Sequence, residues 1–351
     1  MESSGGSKQV PDSSYVIDLL TPSLHGKPEH MQHSGYEAIV DFLANSRVIY
    51  TGDFAKLTRL SYPLRLAHIL PKTYSSLDAE LAALRSDGKI LHHLYAEDTL
   101  WISMCHRFTR SRTLVATFHR PPDVIEATMP FFWKKQLRKL AGVIALSPRQ
   151  HDYLRSVCGT YTTVSLIPHG IDTNYFTPGN SERSREVILS VGSYLRDSTT
   201  LVKAMNILSL KVPSLRLVAI SKQLPTTKNI IPLAKISDEE LLSYYRKASF
   251  VVLPFRKLVA SNAILEAMAC GVPIVCPNSE SARFYVGRGV QTLYDPGNPK
   301  SLAEKIHWLY THDNERRRLS SQMRIRAQLF SWERICELIH AFYDEVIDVG
   351  R

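Results

Sequence analysis

No Asp-x-Asp occurs in the 351 residues, and neither Gly-x-Gly-x-x-Gly nor a Gly-x4-Gly-Lys-Ser/Thr loop is present. The first absence removes the usual carboxylate pair for chelating a metal–diphosphate. The other two disfavour a dinucleotide dehydrogenase and a P-loop enzyme. Gly287-Arg288-Gly289 lacks both the third glycine and a preceding strand. Cysteine is scarce: Cys105, Cys158, Cys270, Cys276 and Cys336 are scattered, with no Cys-x-x-Cys and no zinc spacing. That predicts neither a disulfide framework nor a metal site, and it fits a reducing cytoplasm. No apolar run approaches the roughly 18 residues of a membrane span. Met1–Ser14 is polar and Gly/Ser-rich, which predicts a disordered tail and not a signal peptide or anchor.

What is present is an ordinary globular composition, 44% hydrophobic and 22% charged. The length suits two domains of roughly 150–180 residues. Lys+Arg 43 against Asp+Glu 33 leaves +10, which favours anionic partners such as phosphates, nucleic acid or an acidic leaflet. A nucleic-acid binder would rest on that charge alone, since no recognition motif accompanies it, and no nucleic-acid partner is expected.

Short apolar strands alternate with amphipathic helices along the chain. In the first half the strands are Tyr15–Leu20, Arg47–Tyr50, Lys89–Tyr95, Thr113–Phe118, Gly142–Leu146 and Val164–Ile167, with helices at Glu37–Leu43, Leu57–Ile69, Ser75–Leu84 and Arg149–Val157. Pro121-Pro122 reads as a break. After the Pro/Gly/Ser-rich Asn174–Glu186 the pattern restarts at Val187–Val191 and closes with a long helix at Trp332–Val349. The expected fold class is α/β, with two Rossmann-like parallel-sheet domains facing across a cleft. After the tail, residues 15–176 form the first domain and 177–336 the second, with the terminal helix 337–351 packing back on the first. Ligands of open parallel sheets sit beyond the carboxyl ends of the strands, which places the site in that cleft.

One segment is more informative than the rest. The strand Phe250–Leu253 is followed by a loop and then by Ala260-Ser261-Asn262-Ala263-Ile264-Leu265-Glu266-Ala267-Met268-Ala269-Cys270-Gly271-Val272-Pro273. Ser261 or Asn262 caps the helix, and small residues let a ligand approach the backbone. The free amides at Asn262, Ala263 and Ile264, with the helix dipole, make a diphosphate site. Glu266 lies one turn in, and side chains lean toward the helix N-terminus, so its carboxylate reaches a ribose diol beside the phosphate. Gly271 ends the helix in the left-handed conformation and Pro273 stops it. An ordinary capped helix with a solvated glutamate is the plainer alternative.

The run Glu266–Val275 resembles the second-domain signature of glycosyltransferase family 4, retaining enzymes of GT-B fold. Gly142–Ser147, Ile167–Asp172 with Phe176 and Pro178, Ile188–Gly192, Asp295–Pro299 and Phe330–Glu333 are similar to further family segments in the same order. The resemblance covers roughly residues 140–340. It implies sugar transfer from a nucleoside diphosphate sugar to a carbohydrate, lipid-linked or small-molecule acceptor, without a further cofactor. Family members often carry a second glutamate eight positions before the one matching Glu266; Leu258 stands there. They also place Arg and Lys where this chain has Ser193 and Ser198, so Arg196, with Lys257 or Arg256, is the replacement cation. An exposed Arg196–Asp197 pair is the competing reading.

His119, at a strand end, matches a family histidine near the donor sugar, while Ser34 and Gly35 match a loop on the acceptor side. His92 and His93 read as structural. The assignment is therefore His119, Arg196 and Glu266 as catalytic groups, with Ser193, Lys257, Ser261, Asn262, Ala263, Ile264 and Glu266 on the donor, and no metal ligands. Phe131–Lys139 joins aromatic and basic residues and fits the anionic inner face of a membrane, where lipid-linked acceptors reside; a soluble helix with a solvated cationic face is the alternative. A degenerate GT-B protein that binds a sugar nucleotide as regulator or scaffold is the second functional reading, motivated by Leu258, Ser193 and Ser198.

Overall fold

The computed structural model describes residues 15–23, 33, 35–53, 77, 81, 84, 87–100, 112–129, 133–180, 182–221 and 223–349. The expected tail Met1–Ser14, the helix Leu57–Ile69, Ser34, Phe131 and Phe132 lie outside them, as does most of Ser75–Leu84.

The first half supplies six strands: Ile17–Ser23 (β1), Ser46–Asp53 (β2), Ile90–His93 (β3), Thr113–Phe118 (β4), Gly142–Ala145 (β5) and Thr163–Leu166 (β6). Six more follow: Val187–Val191 (β7), Arg216–Ile220 (β8), Ile230–Leu233 (β9), Val251–Val252 (β10), Ile274–Pro277 (β11) and Leu293–Tyr294 (β12). The sheet orders are β2-β1-β3-β4-β5-β6 and β12-β11-β10-β7-β8-β9, and every pairing is parallel. Inner strands such as β3, β5 and β11 are buried at every position, because helices cover both faces.

Among the elements that differ from the sequence pattern, three have a local reason. Pro122 begins a helix, Pro122–Thr128, where its missing N–H is harmless, so the proline pair starts an element instead of breaking one. Strand β9 contains Pro232 and escapes the pattern; it is tolerated at the sheet edge, where one side of the strand needs no donor. Glu280–Val286 is a helix capped by Ser279, whose hydroxyl accepts from Ala282 N–H.

The terminal helix Trp332–Val349 leaves the second half and lies on the first sheet. Ile335, Ile339, Phe342 and Val346, at helical spacing, share one buried cluster with Ile17, Leu19, Val115 and Ile144. Tyr343 reaches His92 Nδ1 at 2.6 Å, and Tyr15 donates to Asp344 at 2.8 Å. The other nitrogen of His92 meets Thr117 Oγ1 at 2.8 Å, and His93 meets Thr99 at 2.9 Å, so both histidines are part of the packing. Among the described residues no helix is long and apolar enough to cross a membrane.

Candidate active site

In each sheet the chain reverses its direction of winding once, between β1 and β3 in the first and between β7 and β10 in the second. Loops leaving such paired strands diverge and open a crevice. Here the two crevices share one cleft of about 500 Å³, lined by Gly35, Tyr36, Tyr95, His119 and His169 from one side. The other side is Val191–Arg196, Phe255, Lys257–Ala263 and Glu266.

The helix Asn262–Ala269 is buried and short, so its ends must find partners from elsewhere. At the C-terminus they are supplied. Arg324 donates to Ala269 O at 2.7 Å, Arg183 to Cys270 O at 2.8 Å, and Ser320 to Gly271 O at 2.5 Å. Two guanidinium groups there also oppose the negative end of the dipole. Gly271 has φ 63°, a conformation costly for any residue with a Cβ. At the N-terminus the amides of Asn262 and Ala263 have no partner among the described residues, and both residues line the cleft. Ile264 differs from expectation: its N–H donates to Ser261 O at 3.1 Å, because the first turn tightens. Ser261 occupies the cap position, but its hydroxyl makes no capping bond. It lines the cleft instead.

Glu266 is 3% exposed and borders the cleft, with Oε2 accepting the Tyr245 hydroxyl at 2.7 Å. It is not the solvated glutamate of the plainer reading. Burial and the adjacent carboxylate hold the Tyr245 phenol well above its ordinary pKa.

Arg196 is positioned by an unusual loop. Gly192 has φ 88° and Leu195 φ 52°, the latter a left-handed conformation that side chains disfavour. Leu195 O accepts from Arg256 N–H at 2.8 Å, which fastens this loop to the one after β10. The guanidinium folds back, donating from Nε and Nη2 to Val191 O at 3.3 and 3.0 Å and from Nη1 to Tyr194 O at 3.3 Å. Its carbon sits 3.9 Å over the Phe255 ring. Loss of solvent pushes its pKa down to about 10, which leaves it cationic at neutral pH. The expected alternative, an exposed pair with Asp197, is not formed. Asp197 caps the helix Ser198–Lys211 through Thr200 N–H at 3.1 Å. None of the ion pairs found among the described residues includes Arg196.

Lys257 also lines the cleft, but its ammonium is engaged by Asp123 of the helix Pro122–Thr128, 134 positions away in sequence. Both side chains are half exposed, so the pair is weak and exchangeable. Ser193 lines the cleft with Oγ 3.0 Å from Ser221 Oγ. Leu258 lines the cleft and packs against the hydrophobic core of the second half. Gly35, φ 103°, leads into the 3-10 helix Tyr36–Asp41 and lines the other wall.

His119 Nε2 donates to Leu94 O at 2.8 Å, and its main-chain N–H donates to Glu97 Oε1 at 2.6 Å. Although part of His119 opens on the cleft, desolvation of the ring and the neighbouring His169 depress its pKa to about 3. The imidazole is therefore neutral at pH 7 and carries its lone pair on Nδ1. His169 was missed in the sequence, where it sits in a proline turn. Burial lowers it to about 4, and Nδ1–H donates to Gly170 O at 2.6 Å. Tyr36 and Tyr95 were also missed, since an aromatic residue beside a strand end is more often core. Of the Phe131–Lys139 segment, Trp133 and Leu137 are buried and Lys134 pairs with Glu126 at 2.7 Å, while Lys135, Arg138 and Lys139 are exposed. Trp133 therefore belongs to the domain core, not to an interfacial surface. Among the described residues no group of three or more His, Cys, Asp or Glu is placed to hold a metal ion.

Two facing parallel-sheet halves with a cleft at both switch points define the GT-B fold. Two solved structures share it: the sucrose-phosphate synthase of Thermosynechococcus elongatus, TM-score 0.72 at 19% identity over 95% of this chain and 99% of that one, and Anabaena HepE in complex with UDP-glucose, TM-score 0.69 at 18% identity over 94% and 100%. Residues 174–326 match the family described as glycosyl transferases group 1, so the second half of the chain carries a domain of that group. The D-inositol 3-phosphate glycosyltransferase of Corynebacterium jeikeium is 26% identical over 233 residues, 57% of this chain and 56% of that protein. The chain thus spans about half the length of that relative. The MMP alpha-(1->4)-mannosyltransferase of Mycolicibacterium hassiacum is 26% identical over 79% of this chain and 75% of its own.

Proposed function

We propose that this protein transfers a glycosyl group from a nucleoside diphosphate sugar to an acceptor hydroxyl, with retention and without a metal ion, in polysaccharide or glycoconjugate synthesis. The observation that carries the reading is a partly buried, cleft-lining guanidinium, Arg196, that forms no ion pair among the described residues, in the same cleft as the free amides of Asn262 and Ala263 and beside the Glu266 carboxylate. A guanidinium whose hydrogen bonds go to main-chain carbonyls and not to a carboxylate, next to amides without acceptors among the described residues, is a preorganised site for a diphosphate. Glu266 holds the ribose. In the reaction the C1–O bond to the distal phosphate breaks as the C1–O bond to the acceptor forms on the same face. The acceptor's proton passes to the leaving phosphate oxygen, whose charge Arg196 and the amides stabilise.

The test is a thermal-shift screen with UDP, GDP, ADP and their sugars, since a ligand of the native state raises its stability. One base is expected to raise the melting temperature at millimolar ligand. A flat response to all three sinks the reading. Membrane contact through Lys135, Arg138 and Lys139 would bring the enzyme to a lipid-linked acceptor. Flotation with anionic liposomes checks it: neutralising the three residues is expected to release the protein, and unchanged flotation counts against the idea.

A further inference from the structure

On the first-sheet wall of the cleft, the His119 ring is held from several sides. Its Nε2–H is committed to Leu94 O at 2.8 Å. One face stacks on Tyr95, centroids 4.4 Å apart and planes at 26°, and Tyr36 meets it edge-on at 4.8 Å. Tyr95 is fixed in turn: its hydroxyl donates to Glu37 Oε2 at 2.8 Å. Glu37 is 6% exposed and its other oxygen is buried without a partner among the described residues. A buried acidic side chain left half satisfied costs stability. The Tyr95 bond is the contact that gives it a place, and it fixes a tyrosine whose ring lines the cleft against His119.

We infer that Tyr95, tethered by Glu37, positions the His119 imidazole so that its Nδ1 lone pair receives a hydroxyl hydrogen of the bound donor sugar. The inference rests on the nucleotide-sugar reading above. Tyr95 and Glu37 are positioning residues in it; His119 makes the contact. With Nε2–H facing a carbonyl, Nδ1 is the one nitrogen of the neutral ring able to accept. Protonation would turn that acceptor into a donor and lose the bond, so shielding by the Tyr95 face is part of the device. The titratable or charged groups around the ring are Tyr36, Tyr95, His92, His169 at 6.4 Å, Glu97 at its main chain, and Arg120 with its partner Asp98. Burial raises Glu97 to about 7, so pH effects are read as a ratio to wild type and to Tyr95→Phe, which keeps a ring at the start of the helix that carries Glu97.

The experiment compares Tyr95→Ala, Tyr95→Phe and Glu37→Leu with wild type, using the nucleotide sugar whose base gives the thermal shift. Tyr95→Ala is expected to bind the nucleoside diphosphate within threefold of wild type, because Tyr95 lies on the opposite wall. Its kcat/KM for the donor is expected to fall roughly tenfold or more at pH 8, as displacement of a positioned group does. The ratio to wild type should fall further toward pH 5.5, as solvent reaches the ring and its pKa rises. Tyr95→Phe keeps the stack and loses the tether; a threefold to tenfold loss with no added pH dependence is expected. Tyr95→Ala that folds, binds nucleotide and matches the wild-type rate and pH profile overturns the inference. Should Tyr95→Ala not fold, wild-type kinetics in Glu37→Leu overturn it equally. Absence of nucleotide binding by the wild type refutes the parent reading instead, which keeps the two failures apart.

Discussion

Arg196→Ala is expected to lower kcat for sugar transfer by roughly 10²–10³-fold, the loss seen when one preorganised donor to a developing charge is removed. The guanidinium spends three hydrogen bonds on main-chain carbonyls, which leaves two of its five N–H groups for a ligand. Those carbonyl bonds and the Phe255 ring fix its direction before substrate arrives, so little ordering is required in the transition state. Arg196→Lys retains charge but not the fork, and Lys cannot span Val191 O, Tyr194 O and a phosphate together. It is expected to recover only part of the rate. The same carbonyls are freed in Arg196→Ala, so the variant's melting temperature must be measured alongside its kinetics. Steady-state rates within threefold of wild type in a folded Arg196→Ala would remove Arg196 from the chemistry.

Much of the second half was legible because its elements carry local signals. The helix Asp238–Lys247 starts at a capping box, Ser237 with Glu240, a signal that residue types alone display. Val187–Val191 is an apolar run ended by a glycine at φ 88°, and it appears with the bounds of the pattern. Elements whose signals conflict were not legible. Pro121-Pro122 contains both a break and a helix start, and only the packing of Ile125 against the first sheet decides between them. In the cleft, residues at strand ends could be named from topology alone, since parallel strands deliver their C-terminal loops to one edge. What they bind locally could not. Lys257 meets Asp123, and Glu37 meets Tyr95, across separations that no sequence period reports. Arg196 was readable as a cation near the right strand end. Its neighbour Asp197 offered an obvious partner, but that carboxylate caps a helix through Thr200 while the guanidinium folds back onto Val191 O and Tyr194 O.

Glu266→Ala is expected to raise the Kd for the nucleoside diphosphate by about 10–100-fold, the value of a hydrogen bond or two to a charged acceptor. The same variant leaves the Tyr245 hydroxyl unpaired in a core where Tyr245 is 0% exposed, at about 1–3 kcal/mol of stability. Two effects therefore travel together, and Tyr245→Phe separates them. That variant removes the hydroxyl, keeps the Glu266 carboxylate at the cleft, and is expected to bind nucleotide within threefold of wild type. Glu266→Gln preserves an acceptor for Tyr245 and should be less destabilised than Glu266→Ala while still binding the ribose diol more weakly. Calorimetric titration of the four proteins with the shifting nucleotide checks the set. Equal Kd in wild type and Glu266→Ala would sink the ribose assignment. The same proteins decide between enzyme and binder. Leu258, apolar where family resemblance implies a carboxylate, is what favours a protein that holds a sugar nucleotide without transferring it. Under that reading Glu266→Ala loses binding while wild type shows no turnover of the bound donor with any acceptor or with water. Turnover by the wild type that falls with nucleotide affinity in Glu266→Ala leaves only the transferase.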